Sequence, residues 1–286
     1  MNGTIRIGHS PDPDDAFIFY GLAKGLAKIE GYRVEHVVES IELLNQRALQ
    51  AAELEVTAVS VHAYGYLTEK YSLLSCGGSF GRNYGPIVVC NQATSIDSLK
   101  GKKIAVPGKL TTAFLISQMY LPKFEPVQVD FDKVFDEVRQ GKVAAGVVIH
   151  EGQLTYEKEG VKKIFDLGEA WAAETNLPLP LGVDVVRKDL GQKLMHAIWK
   201  GLKDSIAVAL EHEDEALDYS LQFGRGVDRN VGRRFIGMYA NNKDTFEMGK
   251  EGENAIRMLF EKAAKKGILN FQPKFDIIRE SATTKE

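Results

Sequence analysis

The stretch Lys103-Ile104-Ala105-Val106-Pro107-Gly108, with Thr111-Thr112-Ala113 behind it, holds one complete strand-to-helix step. The apolar run reads as a strand, Pro107-Gly108 breaks it, and the threonines open a helix to about Tyr120. The step then repeats. Glu125 to Phe131 reads as a strand, Asp132 to Gly141 as a helix ended by its glycine, and Ala144 to Ile149 as an almost uncharged strand that stops at His150. Lys163 to Leu167 adds one more strand.

The same alternation is found on the N-terminal side. Thr4 to Gly8 reads as a strand, followed by Ser10-Pro11-Asp12-Pro13-Asp14-Asp15. Two prolines in three positions argue against a helix there. Asp14 or Asp15 is placed to cap a helix from about Ala16 to Ala27. Strands are expected at Tyr32–Val38, Val56–Ser60, Tyr71–Cys76 and Ile87–Cys90, with helices at Ile41–Ala52 and His62–Glu69. Gly77 to Pro86 is a loop rich in turn residues. Beyond Pro178 and Pro180, Gly182 to Val186 returns as a strand. Helices follow at Lys193–Glu211, Glu213–Phe223, Asp228–Tyr239 and Lys250–Lys266, and a polar tail from Arg279 is expected to fray.

Two rounds of strand and helix predict an α/β fold with parallel sheets. Because the second round is bracketed by Ile87–Cys90 and Gly182–Val186, it reads as an inserted lobe. The expected large lobe is residues 1–88 plus 187–286, and the small lobe is 89–186. Two crossover strands join them, and a cleft lies between the sheets.

Composition narrows the function. The 286 residues hold 36 Lys+Arg against 39 Asp+Glu, a net charge of −3. Nucleic-acid binders usually carry a basic excess, so no nucleic-acid partner is expected. No apolar run approaches the ~20 residues that span a bilayer, and Met1 to Asp15 has neither a basic nor an apolar leader segment. A cytoplasmic protein with no membrane partner is the expectation. Cys76 and Cys90 lack metal-site spacing and read as buried small hydrophobes in a reducing compartment. Monomer and homodimer are both left open.

In open α/β sheets, ligands bind beyond the carboxyl ends of the strands. That rule selects His9-Ser10, Ser60, Thr111-Thr112 and His150. Thr112 and Ala113 stand at a helix start, where unpaired N–H groups suit a carboxylate, although an ordinary threonine cap has the same sequence. His150, at the end of a buried strand, suits a general base, against the alternative of a structural histidine. His9 and His62 lack the spacing to join it as metal ligands. Asp12, Asp14 and Asp15 read as a cation site or, more plainly, as a Pro/Asp turn. The glycine loop lacks the lysine of a P-loop, and no GxSxG elbow is present.

The chain also resembles the 1,4-dihydroxy-6-naphthoate synthase family of the futalosine route to menaquinone. The resemblance is carried by Ser10-Pro11 through Phe17-Ile18-Phe19-Tyr20, and by Leu44-Asn45 with Arg47-Ala48-Leu49. It continues in Gly77-Gly78 through Gly81-Arg82 to Gly85-Pro86, Ala105-Val106-Pro107-Gly108 with Thr111-Thr112-Ala113, and Ile149-His150-Glu151 with Thr155-Tyr156. Leu177-Pro178-Leu179-Pro180-Leu181-Gly182, Glu215 to Tyr219 and Gly249 with Glu251-Gly252 complete it. The resemblance implies a two-lobed, type II periplasmic-binding-protein-like fold used as a cytoplasmic lyase. The implied reaction converts cyclic dehypoxanthinyl futalosine to 1,4-dihydroxy-6-naphthoate and dihydroxyacetone, with no metal or organic cofactor. It puts the family's proton-accepting histidine on His150. Its substrate contacts fall on Ala58, Val59 and Ser60, on Thr112 and Ala113, and its cleft asparagine on Asn45. Ser10 and Asp12 lie in the opening motif beside the cleft.

The opening departs from the family's Ser-Pro-Cys-Pro-Asn-Asp-Thr: Asp12 and Asp14 are acids here, Ala16 replaces the threonine, and Ala58 stands where a lysine can occur. An anionic substrate would then need another cation, for which Arg82 is the candidate. Two other functions share this fold: a small-molecule carboxylate-binding protein without chemistry, and chorismate dehydratase.

Overall fold

A computed structural model of the chain describes residues 3–92, 94–241 and 243–280. The strands in chain order are β1 Gly3–His9, β2 Tyr32–Val38, β3 Val56–Ser60, β4 Tyr71–Leu74, β5 Ser79–Gly81 and β6 Ile87–Cys90. They continue with β7 Lys103–Val106, β8 Glu125–Gln128, β9 Ala145–Val148, β10 Lys162–Asp166, β11 Leu179–Arg187 and β12 Ile277–Ile278. One sheet has the order β12-β4-β11-β3-β1-β2, with β5 paired to β11; the other has the order β10-β6-β9-β7-β8. All five residues of β3 are buried, as a strand at the centre of a sheet covered on both faces requires.

Both sheets are mixed rather than parallel. The β1–β2, β1–β3, β7–β8 and β7–β9 pairs are parallel, as strand–helix–strand steps dictate. β6 runs antiparallel to β9 and β10, and β11 antiparallel to β3, β4 and β5. These two strands enter their sheets on arrival from the other sheet, so no crossover helix constrains their direction. The returning strand Gly182–Val186 is the centre of β11, and all of β11 pairs within the larger sheet. The chain therefore passes between sheets just before Ile87 and just before Leu179. The first pass touches the start of the helix Leu167–Thr175 backbone to backbone: Leu167 N–H donates to the Pro86 carbonyl at 3.0 Å. A Cβ on Gly168 would sit 2.0 Å from the Tyr84 carbonyl carbon, so only glycine fits there.

Local differences have local causes. The expected Ala16–Ala27 helix is two pieces, Pro13–Ile18 and Tyr20–Ala23, broken at Phe19 (φ −90°, ψ 3°). Pro13 stands in the first turn, where its missing N–H costs nothing, so the proline starts this helix rather than excluding it. Asp12 takes the N-cap position, and Asp14 and Asp15 lie in the first turn. Asp132–Gly141 is a short 3-10 turn, Phe131–Lys133, leading into a helix at Val134–Arg139. The helix Leu167–Thr175, absent from the sequence reading, is capped by Asp166, which accepts the N–H groups of Gly168 and Glu169. The expected fraying from Arg279 falls largely on residues 281–286, outside the described residues.

Apolar residues cover both faces of each sheet. Trp199, Leu202 and Ile206 of the helix Gly191–Glu211 pack with Ile5, Ile7 and Phe17 on one face of the larger sheet. Ile256, Leu259 and Phe260 pack with Leu73 and Val185 on the other. That second cluster runs through Phe80, Leu179 and Trp171 into Ile104 and Val106 of the smaller sheet and Leu115 of the helix Thr112–Tyr120. Val134, Phe135 and Val138 seal its outer face.

Candidate functional site

A cleft of about 630 Å³, counting its mouth, opens where the carboxyl ends of strands from both sheets meet. Ser10, Asp12, Asp14 and Asp15 line it after β1, and Ser60 ends β3. From the smaller sheet come Thr111, Thr112 and Ala113 beyond β7, and Ile149 beyond β9. Leu181 and Gly182 of β11, with Phe235 and Tyr239, complete much of the wall. Among the expected site residues, Ser10, Asp12, Ser60, Thr112 and Ala113 are thus brought together.

Ser60, Thr111 and Thr112 are each held by specific bonds. Ser60 N–H donates to Asn45 Oδ1 at 2.8 Å, and Asn45 Nδ2 donates to Ser60 Oγ at 3.1 Å. Asn45 is fully buried and acts behind Ser60, not in the cleft wall. Asn45→Ala leaves the Ser60 N–H without an acceptor and is expected to destabilise the protein by about 1–3 kcal/mol in denaturant unfolding. Thr112 Oγ1 donates to the Leu181 carbonyl at 2.7 Å and accepts the His62 N–H at 3.1 Å. The hydroxyl thus ties the smaller sheet's first helix, Thr112–Tyr120, to the larger sheet. Thr111 is that helix's cap, accepting Phe114 N–H at 3.2 Å. Thr112 and Ala113 are its first residues, whose N–H groups have no acceptor within the helix. Ala58 and Val59 are buried in β3 behind Ser60 and do not line the cleft.

Arg82 does not reach the cleft. Its guanidinium forks onto Asp244, with Nε and Nη2 each at 2.6 Å, and Nη2 also meets Glu251 at 2.6 Å. A cation already holding two carboxylates is not free for a third. This overturns its expected role as the anion's partner.

Asp12 is not a bare added acid either. It accepts Ser10 Oγ–H at 3.0 Å and pairs with Arg225 Nη2 at 2.6 Å. The same Nη2 meets Glu151 Oε2 at 2.7 Å, and Arg225 N–H donates to Glu151 Oε1 at 3.1 Å. Arg225 was missed in the sequence reading. It lies in the turn Gly224-Arg225-Gly226 between two helices, and no local pattern ties it to positions 12 or 151. Glu151 follows His150 directly, and the chain there has already left β9 and turns helically (φ −55°, ψ −14°), so the two side chains do not diverge as neighbours on a strand do.

His150 lies just past β9 and does not line the cleft; it is buried in a separate crevice with Phe135, Glu151, Gly152 and Arg225. Its ring meets Phe131 and Phe135 edge-on, with centroids 5.7 and 5.8 Å away. Nδ1 accepts the Gly152 N–H at 2.9 Å. The neutral ring therefore carries its proton on Nε2, which makes no hydrogen bond of ordinary geometry among the described residues. To take up a proton, the ring must first release Gly152 from Nδ1. Burial lowers the pKa of His150, and the Arg225 charge lowers it further, against the raising effect of Glu151 and Asp12. The imidazole is accordingly neutral at ordinary pH.

Burial and the Asp15 and Asp12 charges push Asp14 well above the usual carboxylate range. Asp15 rises to about 6, chiefly through burial, against a bond from Ser10 N–H at 2.7 Å. Burial lowers both His9 and His62 to about 4. Among the described residues, no group of three His, Cys, Asp or Glu side chains is placed to hold a metal ion. No helix among them is long and apolar enough to cross a membrane.

A family model described as menaquinone biosynthesis matches residues 5–265. A Thermus thermophilus protein named 1,4-dihydroxy-6-naphtoate synthase is 38% identical over 272 residues, covering 95% of this chain and 98% of that protein. A crystal structure of an Archaeoglobus fulgidus protein is 43% identical with a TM-score of 0.88, covering 93% of this chain and 98% of its own. A Candida albicans protein described as having the generic periplasmic binding protein fold superposes with a TM-score of 0.67 at 14% identity, over 98% of this chain and 99% of its own. At that identity the likeness shows the fold alone. It agrees with the two-sheet, two-lobed type II architecture expected from the sequence.

Proposed function

The chain belongs to the menaquinone-biosynthesis family, and from that premise we propose that it converts cyclic dehypoxanthinyl futalosine to 1,4-dihydroxy-6-naphthoate and dihydroxyacetone. One observation carries the reading: the near end-to-end likeness to a relative named for that product. A carboxylate binder without chemistry and chorismate dehydratase both suit the fold, but neither is favoured by that relative.

In this reading the two sheets are two lobes that close on the substrate. The substrate is anionic, and its carboxylate meets the start of the helix Thr112–Tyr120, where N–H groups and the helix dipole favour negative charge. Ser60, fixed by Asn45, and Ser10 orient its polar groups. His150 is the group that exchanges a proton with it. Carbon–carbon cleavage that ends in an aromatic ring needs proton transfer and exact placement, and closure supplies placement by excluding water. The protein works in the cytoplasm, as two buried free cysteines support.

The test is genetic. The chain is expressed in a bacterium of this pathway whose own naphthoate synthase is deleted, and menaquinone is measured by mass spectrometry. Restored menaquinone is expected. Its absence, with the protein present and folded, would remove the assignment.

A further inference from the structure

We propose that Arg225 is a positioning residue for the reaction: it clamps Asp12, beyond β1 of the larger sheet, to Glu151, beyond β9 of the smaller one, and so fixes the His150 imidazole beside the closed cleft. The proposal rests on the reading that His150 meets the substrate.

Three observations meet at this arginine. Its Nη2 lies 2.6 Å from Asp12 and 2.7 Å from Glu151, and its backbone N–H holds the second Glu151 oxygen. Both ends of Glu151 are therefore bound to one residue, and Glu151 is 2% exposed. The Arg225 guanidinium also lies over the Phe131 ring, 4.7 Å from its centroid. Phe131 in turn packs edge-on against His150. Arg225 thus reaches the histidine by two routes, through Glu151 next to it in the chain and through Phe131 against its ring. Each route joins parts of the chain that no single sheet holds together, so the bridge can form only when the two sheets are closed on each other.

The charge arrangement follows from the same contacts. Facing His150 are Arg225, Glu151 and Asp12. Asp132, Asp136, Arg139 and Glu159 line the outer crevice, where Arg139 is already paired with Asp136 at 2.5 Å and Glu159 at 2.6 Å. With Arg225 in place, one cation sits between two carboxylates near the ring. Without it, both carboxylates face the ring unpaired and favour the imidazolium.

The experiment reads the histidine directly, without substrate. The protein is labelled with ¹⁵N-histidine, and the His150 ring is titrated by NMR in wild type, Arg225→Gln, Arg225→Lys and Glu151→Gln. In Arg225→Gln the His150 titration is expected to move to higher pH, and kcat/KM to fall on the order of 100-fold as the ring loses its placement. Arg225→Lys keeps the charge but loses the flat guanidinium that lies over Phe131; its titration stays near that of wild type while kcat/KM falls. Glu151→Gln, which removes an opposing charge, moves the titration down and covers the case in which Arg225→Gln does not fold. A His150 titration indifferent to both charge changes overturns the proposal. If the titrations move as expected but His150→Asn keeps full turnover, the proposal stands as geometry and the reading of His150 as the reacting group is what fails.

Discussion

His150→Asn is expected to lower kcat by about 100- to 10,000-fold, the range typical for removing a proton-transfer group. The asparagine Oδ1 can still accept the Gly152 N–H that Nδ1 holds at 2.9 Å, so the local chain keeps its bond and the melting temperature should stay close to that of wild type. What is lost is a ring able to carry a proton on either nitrogen. His150→Gln separates the two uses of the ring, because its amide can supply an N–H near the Nε2 position but cannot titrate. If glutamine is as damaging as asparagine, proton exchange is the function of the ring. A loss of less than tenfold in His150→Asn, measured as product formation at saturating substrate, would mean the histidine is structural.

Asp15→Asn carries the second large expectation, and its sign is opposite. The folded protein raises Asp15 from its ordinary 3.8 to about 6. Above pH 6 the folded state must hold a charge that its surroundings disfavour, while the unfolded chain holds it in water. A carboxyl raised on folding stabilises only below its unfolded pKa, and that contribution is lost as pH rises through the folded value. The full shift corresponds to about 3 kcal/mol, reduced here because Asp15 is only partly buried in the cleft wall. Asparagine removes this cost yet keeps an oxygen for the Ser10 N–H. Asp15→Asn is therefore expected to be more stable than wild type by about 1–3 kcal/mol at pH 7–8. The difference should shrink between pH 6 and 4 and vanish below 3.8. Urea denaturation of both proteins at several pH values checks it; a wild type as stable as the variant at pH 8 would show that Asp15 ionises without penalty. A gain in stability from neutralising an acid in the cleft is the usual relation between a binding site and its scaffold.

Much of the frame was legible because it depends on local pattern. Val56–Ser60 is a run of buried, β-favouring residues with a hydroxyl at its end, and β3 has those limits. Thr111 caps its helix because a threonine after Pro107-Gly108 has both the oxygen and the extended backbone the cap needs. The strand-end rule placed Ser10, Ser60 and Thr112 in one cleft because it depends only on strand direction.

What was hidden depends on partners distant in sequence. Arg225 meets Asp12 across 213 positions and Glu151 across 74, and its own neighbours are two turn glycines. Arg82 looked available because Asp244, which holds it, lies 162 positions away. The direction of β6 and β11 could not be read because the alternation rule assumes each strand is reached from its own sheet. The His150 tautomer was out of reach for a more local reason: it is set by the backbone N–H of Gly152, whose orientation follows from the turn after β9 and not from residue type.

Catalysis of the cleavage by this chain is read from its two products. The most direct measurement mixes the purified protein with cyclic dehypoxanthinyl futalosine, follows naphthalene absorbance, and counts dihydroxyacetone in the same samples. 1,4-Dihydroxy-6-naphthoate and dihydroxyacetone are expected in equal amounts over many turnovers per protein molecule. Substrate that raises the melting temperature but is recovered unchanged would contradict catalysis and leave the chain a binding protein on the same fold.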